Sequence, residues 1–149
     1  MSCGGVARPG DAATAHRCPI TPTWGWLASS YGWRRHPMGG ASPDHHWGID
    51  IAAPAGTPVL ATMDGEVAYA GWHGGYGIVV YLLHGAGWSS LYGHLQAVAV
   101  RTRERVRCAQ VVGYVGSTGI STGPHLHFEL RYRGYPVDPV PYLLQASRR

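Results

Sequence analysis

From about Trp24 onward, short apolar runs alternate with turn residues. They fall at 57–61, at 66–70 after the Asp64-Gly65 pair, and at 77–83, 88–92, 98–100 and 111–115. A last run is carried by Leu126, Phe128 and Leu130. Gly, Pro or other turn residues bound each of them, so the pattern predicts about seven short strands. A mainly β fold follows, an antiparallel sheet built as a roll or sandwich. Only 139–146, with Pro139 early and Tyr142-Leu143-Leu144 inside, reads as a helix, and a short one. Residues 1–22 mix Gly, Pro, Ala and Thr without periodicity and are expected to form a flexible N-terminal tail, leaving one compact domain over 23–149.

The alternation also says where side chains point. His125, His127 and Glu129 interleave with Leu126, Phe128 and Leu130, so both imidazoles face the same side of a half-buried strand. Residues two apart on a strand lie roughly 6.5–7 Å apart. One ring can then bind a metal while the other stands beside it as a catalytic partner. Ser90, Tyr92 and His94 share a face opposite Leu91 and Leu95, which predicts that His94 is aimed away from the core. His46 and Asp50 would be about 13 Å apart on a straight strand, and Gly48 between them is expected to supply a bend that lets both reach one ion. Three protein ligands with an open fourth position is the pattern of catalytic zinc. His46, Asp50 and His127 supply those three, and His94 and His125 are the catalytic candidates.

Composition adds less. Of 149 residues 13% are charged, while 22 are Gly and 11 Pro, which fits a turn-rich chain. The net charge of +4 favours an anionic partner without choosing one. Arg101, Arg103, Arg105 and Arg107 stand at alternate positions and would form a basic stripe if extended. That stripe reads either as a solvated face protecting a sheet edge or as a contact for anionic wall polymers. No nucleic-acid-binding motif accompanies the charge. No apolar run reaches the roughly 18 residues of a membrane span, and 1–17 lacks the apolar middle of a signal peptide, so no export route is visible in this stretch. Cys3, Cys18 and Cys108 show no paired metal-ligand spacing. A Cys3–Cys18 bridge and three free thiols both remain open. Trp26, Tyr31, Trp33, Trp47 and Trp72 could line a groove or fill a core. Substrate-contacting residues are therefore not assigned.

Several motifs occur together and in order: 32–37 (GWRRHP), 46–54 (HWGIDIAAP), 56–59 (GTPV), 92–95 (YGHL), and 123–129 (GPHLHFE) after Gly113 and Gly119. With these the chain, from about Trp24 to Leu143, resembles the lysostaphin-type, or LytM-like, zinc endopeptidases. The resemblance implies one zinc ion held by His46, Asp50 and His127, with His94 and His125 as catalytic histidines. It implies a central antiparallel sheet with a groove walled by loops. The implied substrate is the peptide part of bacterial peptidoglycan, stem-peptide cross-links or cross-bridges, at an extracytoplasmic location. The loops near Gly74-Gly75 and Ser121-Thr122 are expected to set specificity. Two departures concern a turn where the family commonly has glycines, here Arg103 and Ala109. A second reading is a catalytically inactive member that binds wall or partner and regulates another hydrolase, although such members typically lose ligands and none is missing here.

Overall fold

The computed structural model describes residues 18–35 and 43–147. The strands are β1 (Trp26–Ser29), β2 (Gly32–Arg35), β3 (Pro43–His46), β4 (Ile49–Ala52), β5 (Pro58–Leu60), β6 (Gly65–Trp72) and β7 (Ile78–Gly85). They continue with β8 (Trp88–Val98), β9 (Arg105–Val106), β10 (Val111–Val115), β11 (His125–Tyr132) and β12 (Tyr135–Val137), followed by one helix, α1 (Val140–Ser147). Ten strands make one sheet whose main order is β1-β4-β11-β8-β7-β6-β9; β10 joins β8 and β5, and β12 joins β11. β2 and β3 form a separate two-stranded hairpin. Neighbours are antiparallel throughout. The antiparallel β fold with little helix is thus present.

One face of the central strands builds the core. On β11, Leu126, Phe128 and Leu130 are fully buried, and Phe128 sits opposite Tyr92 of β8 with ring centroids 5.4 Å apart. Val80 and Leu82 of β7, Val59 of β5, and Val112 and Val115 of β10 complete it. Each such side chain contributes about 1.5–3 kcal/mol on leaving water. The buried Tyr92 hydroxyl accepts hydrogen bonds from the Thr62 N–H and the Ser90 hydroxyl at 2.9 and 2.8 Å, so its polar end is satisfied.

The structure corrects several expectations. Ser90 and Tyr92 do not face outward: β8 is central and buried on both faces, so alternation there separates two interiors. The run at 98–100 is no strand of its own, because β8 continues to Val98 and the chain then leaves it. The arginine stripe is not extended either. Only Arg105–Val106 is strand, and Arg103 and Ala109 have φ of 76° and 71° in the turns on either side. All four arginines are nevertheless exposed.

Residues 1–17 of the expected tail lie outside the described residues. From Cys18 the chain lies along the body: Ile20 N–H bonds Thr62 O at 3.0 Å, and Leu60 N–H bonds Pro22 O at 2.7 Å. Cys18 is in a disulfide with Cys108, 90 residues away, rather than with Cys3.

Candidate metal centre

Three strands converge on one point. β4 and β11 are hydrogen-bonded neighbours with His127 directly opposite Asp50. β3 ends at His46, and the Trp47-Gly48 bend carries the chain from the small hairpin into the main sheet. The expected bend is therefore the passage between two sheets. Gly48 is needed there for closeness: a Cβ would run into the Phe128 carbonyl and the Glu129 side chain.

The result is a triangle of donor atoms. His46 Nε2 lies 3.3 Å from His127 Nδ1 and 3.4 Å from Asp50 Oδ1, and His127 Nδ1 lies 3.0 Å from Asp50 Oδ1. Zinc–nitrogen and zinc–oxygen bonds of about 2.0–2.2 Å at tetrahedral angles require ligand atoms about 3.3–3.5 Å apart. These two imidazoles and one carboxylate fit a zinc ion with one position left open. His46 presents Nε2 because its Nδ1 bonds the Ser30 carbonyl at 2.9 Å. His45 turns elsewhere, its ring against Trp47 and Tyr31.

Two further imidazoles stand beside the triangle, with His94 and His125 ring centroids 4.8 Å apart. His125 Nδ1 bonds Gly123 O at 2.9 Å, and its Nε2 lies 3.7 Å from Asp50 Oδ1. His94 Nδ1 bonds Thr118 O at 2.7 Å. Each ring thus keeps Nε2 available. On a regular strand His94 would share the core face with Ser90 and Tyr92. Its φ of 60°, at a register irregularity between β7 and β8, turns it to the face that carries His127. Thr118 anchors that arrangement, its hydroxyl accepting from the Ile78 N–H at 3.0 Å and donating to Leu95 O at 2.5 Å.

Charge is concentrated here. Burial opposes the Asp50 charge, but hydrogen bonds from His127 and His46 outweigh it and hold the carboxyl well below its usual range. Burial likewise opposes a charged His127, and the bonds to Asp50 and Glu129 overcome it, raising its pKa to about 9. Burial of His94 pushes its pKa down, reinforced by the neighbouring imidazoles, which keeps that ring neutral at physiological pH.

The histidines and Asp50 floor a cleft of about 580 Å³. Its walls are the single helical turn Gly74–Tyr76 and the loop bearing Ile120, Ser121 and Thr122, joined by a 2.9 Å bond from Ile120 N–H to Gly75 O. Among the described side chains the suggested aromatics do not line the cleft: Trp26, Trp47 and Trp72 are exposed outside it and Tyr31 bonds Pro136 O, while the Trp33 side chain lies outside the described residues. Reading the sequence alone missed Tyr76, Thr118 and Glu129. Glu129 carried a signal, since alternation puts it on the same face as His127.

Comparison with known proteins agrees with the fold. Residues 44–139 match the family described as peptidase family M23. The chain is 46% identical over 132 residues to the DD-carboxypeptidase/endopeptidase Mpg of Neisseria meningitidis, covering 82% of this chain and 29% of that protein. It is 42% identical over 107 residues to the murein hydrolase activator NlpD of Escherichia coli, covering 71% and 28%. The chain therefore spans under a third of the length of these curated relatives. Among solved structures, a zinc containing peptidase from Vibrio cholerae superposes with TM-score 0.72 at 35% identity, covering 83% of this chain and 38% of that one. The catalytic domain of lysostaphin from Staphylococcus simulans superposes with TM-score 0.71 at 34% identity, covering 80% and 92%.

Proposed function

The chain belongs to peptidase family M23 as a lysostaphin-type catalytic domain, and from that premise we propose that it is a zinc endopeptidase hydrolysing peptide bonds of bacterial peptidoglycan. The observation that carries this reading is the donor triangle with 3.0–3.4 Å edges, flanked by two further imidazoles at the floor of an open cleft.

His46, Asp50 and His127 would hold the ion. When bound, zinc acts as a Lewis acid toward the scissile carbonyl and lowers the pKa of water. The chain's own part is positioning and proton movement. The peptide would lie over the histidine floor of the cleft, against the continuous wall that the 74–76 turn and the 120–122 loop form together. His94 Nε2 and His125 Nε2 stand ready to take the hydrolytic water's proton and return one to the departing amine as the C–N bond breaks. A ring that is briefly charged also stabilises the oxyanion developing on the carbonyl. The peptide part of peptidoglycan as substrate is supported by similarity to a DD-carboxypeptidase/endopeptidase and to an activator of murein hydrolases. An extracytoplasmic location is consistent with the Cys18–Cys108 disulfide, because such bonds persist in oxidising compartments.

The similarity to a murein hydrolase activator favours a second reading, a regulator that binds and does not cut. Retention of two ligand histidines, the ligand aspartate and both flanking histidines supports the enzyme instead. Equilibrium dialysis against zinc tests the metal reading. One equivalent should be retained per chain, and a chain that retains none would remove the proposed chemistry.

A further inference from the structure

Zinc ligation leaves one buried carboxylate without an assignment. Glu129 follows His127 by two residues on the same face of β11 and is 0% exposed. A carboxylate taken out of water is costly unless every oxygen is paired. Here both are paired. Oε1 accepts from Arg131 Nε and Nη2 at 2.9 and 2.6 Å, and Oε2 accepts from the Tyr76 hydroxyl at 2.6 Å and from His127 Nε2 at 2.8 Å. Arg131 is held in turn by the Tyr81 hydroxyl at 3.3 Å. The carboxylate is fixed by β11, by β7 through Arg131, and by the cleft-wall turn.

An ionised carboxylate only accepts, so the hydrogen of this bond must sit on His127 Nε2. In the neutral ring that a metal requires, this leaves Nδ1 as the lone-pair nitrogen, and Nδ1 is the atom in the donor triangle. The other three site imidazoles are arranged the opposite way, with Nδ1 on a backbone carbonyl and Nε2 available. Serine hydroxyls also lie near Nδ1 of His46 and His125, at 3.5 and 3.3 Å, but His127 alone of these four has a carboxylate on the nitrogen that faces away from the triangle.

We propose that Glu129, clamped by Arg131 and Tyr76, is the positioning residue that fixes His127 with Nδ1 toward the metal, tying the cleft wall to a ligand. This rests on the zinc reading above. Hydrogen-bond partners of this kind typically govern metal affinity by 10–100-fold.

The test measures zinc affinity by competition with a chelating dye, together with ¹⁵N spectra of selectively labelled histidine in the zinc-loaded protein. Glu129→Gln combined with Arg131→Met keeps an acceptor oxygen toward His127 and Tyr76, with the amide NH2 turned to the place the guanidinium leaves, and should bind within about 3-fold of the parent with the His127 Nε2–H signal kept. The double variant Glu129→Leu with Arg131→Met removes the acceptor without leaving a buried unpaired charge, so the fold should survive. It should bind zinc about 10–100-fold more weakly and lose the Nε2–H signal. A folded Glu129→Leu/Arg131→Met variant that binds as tightly as the parent would overturn the role of Glu129, as would Glu129→Gln/Arg131→Met falling as far as the leucine variant. A parent that binds no zinc would instead overturn the metal reading on which this rests.

Discussion

A proton and a metal ion compete for Nδ1 of His127. With its pKa raised to about 9, the ring is charged at pH 7 in the metal-free protein, bonded at one nitrogen to Asp50 and at the other to Glu129. Metal needs the neutral ring, so zinc uptake at pH 7 should release close to one proton from His127, and the release should vanish above about pH 9. Affinity should accordingly rise with pH up to that value and then level. Calorimetry in buffers of differing ionisation enthalpy measures this; a release independent of pH from 7 to 10 would contradict it. The two histidines of the H-x-H pair should also separate by substitution. His127→Ala should lose metal and activity together, whereas His125→Ala should keep most of the metal and lose about 10²–10⁴-fold in turnover. Metal analysis beside kinetics on each variant checks this, and equal metal loss in both would reverse the division of roles.

At the scale of elements, β11 was legible because its alternation is strict and its apolar half is fully buried, so both histidines and their common face followed from period two alone. β8 was not, since a strand buried on both sides gives no polar face to read, and a single residue of positive φ at His94 moves a side chain across the sheet without a sequence mark. The two-residue β9 is too short to carry a pattern. The turns around it were half visible: Arg103 and Ala109 replace glycines common in the family, and both have positive φ, 76° and 71°. Left-handed backbone costs an L-residue about 1–2 kcal/mol, partly offset by the entropy glycine loses on folding. Arg103→Gly and Ala109→Gly should therefore each stabilise by about 0.5–1 kcal/mol, read as a higher denaturant midpoint, with hydrolysis unchanged because both turns lie away from the cleft. Gly48→Ala should act oppositely. Its methyl group meets the Phe128 carbonyl beneath the site, so stability should fall by about 1–3 kcal/mol and zinc binding should weaken with it.

Across the whole molecule, the sequence carries the proposed ligands within short motifs but could not pair the cysteines, because a contact 90 residues apart leaves no local spacing. The Cys18–Cys108 bond closes a long loop and pins the entering chain beside the Thr62 and Leu60 contacts. Replacing both cysteines by serine should cost about 2–4 kcal/mol, seen as a lower unfolding temperature that reductant no longer shifts. The same long-range pairing of β3, β4 and β11 assembles the donor triangle, so hydrolysis should require the intact sheet together with its ion. The most direct test is digestion of purified peptidoglycan by the metal-stripped protein, before and after one equivalent of zinc, with mass spectrometry of the released fragments. Zinc-dependent release of fragments with new peptide amino and carboxyl ends is the predicted result. Binding of zinc and of the polymer without new peptide ends, across several wall types, would contradict the enzyme and favour the regulator.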